Sequence, residues 1–148
     1  MMMPIQRGSR QIFGLDTKYN QMSRGDWTMQ TKIGWLMTGF FALFMLGASV
    51  TPKLAGMAVA TDTFVAIGWP AKYVLLIGCI ELAATILFLI PWTSFIGAVI
   101  MTGLLGGAIA SQFRVESPLF SHVLFGIYLG VFMWTSLWLR EPRLRTLV

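Results

Sequence analysis

Four stretches of this chain, residues 33–50, 73–90, 94–111 and 117–139, are 18 to 23 residues long and contain one charged side chain between them, Glu81. A helix rises 1.5 Å per residue, so about 20 residues cross a hydrocarbon layer of roughly 30 Å. A water-soluble bundle would carry charge on its outward faces at helical spacing, and none of these stretches does. Of 17 charged residues among 148, 16 lie outside them. The charged fraction is 11%, against roughly 25% in a typical soluble domain. The pattern predicts an all-α four-helix transmembrane bundle whose solvent is the lipid bilayer. It excludes disorder, a nucleic-acid scaffold and an ordinary cytosolic enzyme.

Pro52, Gly68-Trp69-Pro70, Pro91 and Pro118 sit at the edges of the stretches, where a helix can start or stop without losing an interior bond. The Pro91-Trp92-Thr93 link is so short that the second and third helices must be antiparallel neighbours. Residues 51–72 form the one long loop, and periodicity leaves open whether part of it is a short interfacial helix. Residues 1–32 are polar and read as a mobile cytoplasmic tail; residues 140–148 read as a basic cytoplasmic tail. A basic segment ahead of an apolar run resembles a secretory signal, with Gly47-Ala48-Ser49 as the cleavage region. The run of 18 is longer than a usual signal core and favours an uncleaved first helix. Met29 offers an alternative start just ahead of it.

Orientation follows from Lys and Arg. Arg7, Arg10, Lys18, Arg24, Lys32, Arg140, Arg143 and Arg145 lie on the side of the termini, and Lys53, Lys72 and Arg114 on the other. Eight against three places both termini in the cytoplasm, and the membrane expected is a bacterial inner membrane. Trp35, Trp92 and Trp138 then mark the inner boundary, Trp69 and Tyr73 the outer one. The net charge of +5 is read as topological, with no nucleic-acid partner.

Cys79 is the one cysteine and His122 the one histidine, so an internal disulfide and bis-histidine haem ligation are excluded. No dinucleotide fingerprint, phosphate loop, metal-ligand spacing or nucleophile–base pair is present, so no catalytic residue and no metal site is assigned. Small residues mark close helix approach in lipid. The third stretch has two such rows, Ala98, Thr102, Gly106, Ala110 and Gly103, Gly107, Ser111, and is expected to be the most enclosed helix. The fourth has Gly126 and Gly130, with His122 and Trp134 one turn beyond on either side.

Glu81 lies eight residues into the second stretch, about 12 Å from its edge by helical rise. An acidic side chain near mid-membrane costs on the order of 2–3 kcal/mol, so it should face the bundle. Gly78 and Thr85, one turn on either side, leave room and a hydrogen-bond partner. One reading makes it a protonated carboxyl that glues helices together; the other gives it a ligand or a proton. Lys53, Glu81, Gln112, Arg114 and His122 come from four helices at the same end and are expected to line one outward-facing pocket. Such a set can hold a quinone head group or another small polar-headed lipid. Four spans are few for a solute transporter.

The runs Lys32-Ile33-Gly34-Trp35-Leu36, Pro52-Lys53-Leu54, Gly78-Cys79-Ile80-Glu81-Leu82 and Leu89-Ile90-Pro91 resemble the DoxX-like family of four-helix membrane proteins. So do Thr102-Gly103-x-x-Gly106-Gly107-Ala108-Ile109-Ala110, Phe120-Ser121-His122, Tyr128-Leu129-Gly130 and Leu139-Arg140-Glu141-Pro142-Arg143-Leu144-Arg145. The resemblance implies that Glu81, Lys53 and His122 are the family's helix-2 glutamate, helix-1 lysine and helix-4 histidine. The chain departs from the pattern at Gln112, where a second histidine is expected, and at Gly126, where a proline is. The family takes its name from a subunit linked to a thiosulfate:quinone oxidoreductase. The expectation is therefore a redox-associated accessory subunit binding a quinone-like ligand, with no intrinsic cofactor. The alternatives are a scaffold docking a membrane-protein partner or forming a homo-oligomer, and a small lipid- or solute-handling protein.

Overall fold

The computed structural model describes residues 29–145; residues 1–28, most of the expected tail and the alternative to Met29 as start, and residues 146–148 lie outside the described residues. Four helices are long and apolar enough to cross a membrane: α1 (Met29–Leu54), α3 (Ala71–Leu89), α4 (Ser94–Arg114) and α5 (Leu119–Arg140). Two short helices complete the described chain, α2 (Ala58–Ala66) between α1 and α3, and α6 (Pro142–Arg145) after α5. All elements among the described residues are helical. Leu36, Phe40 and Leu43 on the outer face of α1 are 66–76% exposed, as suits side chains that meet lipid.

The first helix runs on past Pro52, which the sequence places at its edge. Pro52 has no N–H and would crowd the carbonyl of Ala48 in a regular helix. Residues Met45–Val50 instead form a wider π-helical turn, closed by the Thr51 N–H on the Leu46 carbonyl. The Thr51 hydroxyl donates to the same oxygen at 2.7 Å. The expected loop 51–72 is thus largely helical, with Gly56 and Gly68 at φ +64° and +80° turning the chain on either side of α2.

The core sits where all four long helices meet. Phe41 and Met45 of α1 pack with Ala84 and Phe88 of α3, Ala98 and Met101 of α4, and Met133 and Leu137 of α5. Phe41 and Phe88 meet edge to face with ring centres 5.5 Å apart. α3 and α4 come close together at Gly97, where a Cβ would stand 2.3 Å from the Phe88 nitrogen and 2.8 Å from the Ala84 carbonyl oxygen. Gly126 of α5 packs on Ile109 of α4, 2.7 Å from where its Cβ would be. The rows of small residues on α4 behave otherwise. Nothing comes within 4 Å of a Cβ at Gly103, Gly106 or Gly107, and α4 is no more enclosed than its neighbours. For Gly103 and Gly107 the cause is a cavity beside α4, whereas Gly106 is exposed on the outside of the bundle.

Arg140 belongs to α5 rather than to a solvated tail, and is 5% exposed. Pro91 cannot supply the N–H that would close the last turn of α3 on Leu87, and the Thr93 hydroxyl donates to that carbonyl at 2.9 Å instead. Arg140 donates to the next carbonyl, of Phe88. Its guanidinium carbon lies 4.7 Å from the Trp35 ring centre and 4.5 Å from that of Phe88. A cation at a helix C-terminus is favoured by the helix dipole. Gly34 lets it approach: a Cβ there would stand 2.5 Å from the Arg140 backbone nitrogen.

Candidate functional site

At the opposite end of the bundle, Ser49 and Lys53 lie four residues apart on α1 and both reach Glu81 of α3. Lys53 Nζ donates to Glu81 Oε1 at 2.8 Å, to Oε2 at 2.6 Å and to Ser49 Oγ at 2.7 Å. The Ser49 hydroxyl donates to Glu81 Oε2 at 3.0 Å. The two charged side chains are 13% and 11% exposed. Gly78 makes the pairing possible, since a Cβ there would stand 2.9 Å from the Lys53 Cβ. The room beside Glu81 is therefore filled by α1. Thr85 does not serve the carboxylate; its hydroxyl donates to the Glu81 backbone carbonyl at 2.8 Å.

Two cavities meet at this pair. The first, about 390 Å³, lies between α3, α4 and the α2 segment, and its wall is mainly apolar: Phe64, Ile67, Ile77, Ile80, Ile100, Leu104 and Ala108. Its polar side chains are Lys53, Glu81, Trp69 and Ser111. Gly103 and Gly107 of α4 line it, which is why those glycines have no close neighbour. α2 covers it: Phe64, packed with Ala60, Val74 and Ile77, lies 6.0 Å from Lys53 Nζ. Trp69 Nε1 donates to Ser111 Oγ at 2.9 Å and ties the same segment to α4. The second cavity, about 240 Å³, lies between α1, α4 and α5 and contains Ser49, Lys53, Glu81, Gln112 and His122 among its lining.

Of the five residues expected to share one pocket, the structure brings Lys53 and Glu81 into contact and places Gln112 and His122 around the second cavity with them. Gln112 Oε1 accepts from the Ser117 hydroxyl at 2.6 Å, and His122 Nδ1 lies 2.8 Å from Ser121 Oγ on the exposed side. Arg114 lines neither of the two cavities. It donates to the Ile67 carbonyl at 2.7 Å and fills the space beside Gly68, fastening the α2–α3 turn to the end of α4. Its separation follows from helical rotation, two residues beyond Gln112 on another face. Ser49, Phe64, Trp69 and Ser111 join the site without having been expected there. For Ser49 the i,i+4 spacing from Lys53 was a readable signal.

A family model described as the DoxX-like family matches residues 36–136. The chain belongs to the DoxX-like family. The match spans parts or all of the four long helices and contains Ser49, Lys53, Glu81, Gln112 and His122, while Arg140 falls outside it. Comparison with curated proteins and with solved structures gives no match. At Gly126, where the resemblance leads us to expect proline, the Ile109 side chain occupies the space any Cβ would need. No cluster of three metal-binding side chains occurs among the described residues.

Proposed function

We propose that this DoxX-like membrane protein holds a lipophilic ligand with a compact polar head, of the quinone-like kind. The apolar body lies in the 390 Å³ cavity and the head meets the Lys53–Glu81–Ser49 cluster. The observation that carries the reading is the coincidence of a paired, partly accessible carboxylate on a membrane-spanning helix with a mainly apolar cavity of ligand size. Buried ion pairs in themselves add little stability, so space left beside one favours a binding role. The protein acts as an accessory subunit in a bacterial inner membrane. Its termini are in the cytoplasm, on the excess of Lys and Arg at their side of the bundle.

Native purification in mild detergent followed by extraction and mass spectrometry tests the reading. The wild type should retain one lipophile near stoichiometric amounts, and Glu81→Gln should lose it. Gly107→Leu is the sharper variant, because it fills the cavity from a position with no neighbour to displace and improves helix propensity by up to about 1 kcal/mol. Loss of the lipophile with thermal stability kept supports the proposal. The same extract from wild type and Gly107→Leu overturns it. A second reading, a scaffold for another membrane helix, is favoured by exposed Gly106, beside which nothing stands within 4 Å. It predicts a stoichiometric protein partner or a second copy, retained by Gly107→Leu and lost in Gly106→Leu.

A further inference from the structure

The cavity's polar groups can be counted as donors and acceptors, and the count is one-sided. A lysine ammonium has three N–H groups, and Lys53 directs bonds to Glu81 Oε1, Glu81 Oε2 and Ser49 Oγ. The Ser49 hydroxyl is committed to Glu81 Oε2. On the far wall, Trp69 Nε1 donates to Ser111 Oγ, and the Ser111 hydroxyl donates to the Gly107 carbonyl at 2.8 Å. Each polar side chain lining the 390 Å³ cavity therefore has its donors engaged within the protein. Acceptor capacity remains among the described residues: Glu81 Oε1 takes one bond where it can take two, and Ser111 Oγ has a lone pair left.

We infer that this cavity is a hydrogen-bond-accepting site that selects an apolar molecule bearing a hydroxyl, a phenol, hydroquinone or lipid alcohol, over its carbonyl or ether counterpart. The inference rests on the ligand-binding reading above and specifies which head group it takes. A hydroxyl entering beside Glu81 donates to Oε1 and breaks no bond already made. A ligand that can only accept must either remain unpaired or draw an N–H of Lys53 away from Ser49. An acceptor buried without a partner is penalised, whereas a hydroxyl on a carboxylate is charge-assisted and strong. Ser49 is the positioning residue, since by accepting from Lys53 it uses the one ammonium proton not directed at the carboxylate.

The test is equilibrium binding of 4-pentylphenol, its methyl ether and 2-pentyl-1,4-benzoquinone to the full chain in lipid nanodiscs, each corrected by empty nanodiscs. One charge-assisted hydrogen bond corresponds to about a tenfold preference, so the phenol should bind roughly ten times more tightly than either of the others. Ser49→Ala frees an N–H of Lys53 for a ligand carbonyl and should narrow the phenol-to-quinone ratio to within about threefold. Equal binding of the phenol and its ether overturns the inference while leaving the ligand-binding reading intact. So does tighter binding of the quinone, or an unchanged ratio in Ser49→Ala. Absence of binding by all three overturns both.

Discussion

Each end of this bundle buries a cation, and the two are handled in opposite ways. Lys53 faces a carboxylate on the neighbouring helix, and the pair borders two cavities. Arg140 makes no ion pair among the described residues: it rests between the rings of Trp35 and Phe88 and serves the Phe88 carbonyl, and its Nη1 has no hydrogen-bond partner there. The partner of Lys53 is a side chain that substitution can remove; the partner of Arg140 is backbone that it cannot. A charge placed to finish a helix end is packed without spare room. A charge placed beside empty space is the one available to a ligand.

The largest effect expected from this contrast is at Lys53. Lys53→Met strands Glu81 and should lower stability by about 3–5 kcal/mol, read by denaturant titration in mixed micelles. Adding Glu81→Met should recover most of that loss, because an apolar pair of similar volume replaces a buried ion pair at little net cost. If the double variant stays as unstable as the single one, the pair is structural and the contrast collapses. Next, Gly34→Ala drives a methyl into the Arg140 backbone and should cost about 3 kcal/mol. Gly78→Ala drives a methyl to 2.9 Å from the backbone-anchored Lys53 Cβ, pushes α1 off α3 and should cost about 2–3 kcal/mol. Smallest, Arg140→Met removes one charged hydrogen bond and two ring contacts and should lower stability by about 2 kcal/mol. No second substitution should restore it, and bound lipophile should be unaffected.

Much of the fold could be read from the chain because charge is so costly in lipid that its absence marks the spans. Glu81 stood out for the same reason, and helical rise alone brought Lys53, Gln112 and His122 to its end. What escaped depended on rotation and local backbone. Pro52 reads as a helix end, but the chain widens around it and continues. Arg114 lies two residues from Gln112 on another face, and Arg140 reads as tail because nothing in the sequence shows that Pro91 has left α3 short of a donor. The glycines of α4 signal close approach equally well whether a helix or a cavity lies beside them.

The widened turn at Met45–Val50 has a geometric consequence for the whole site. Phe41, Met45, Ser49 and Lys53 are spaced four apart, and in a regular helix each such step overshoots a full turn by about 40°, or about 120° over the three steps. A π turn holds more residues per revolution and takes back part of that drift. The four side chains can then stay in phase along the face of α1 that meets α3, Phe41 against Phe88 and Lys53 against Glu81. One residue fewer in that turn would swing Lys53 by about 100° and present its ammonium to lipid. The wide turn that admits Pro52 thus keeps the two halves of the helix in register.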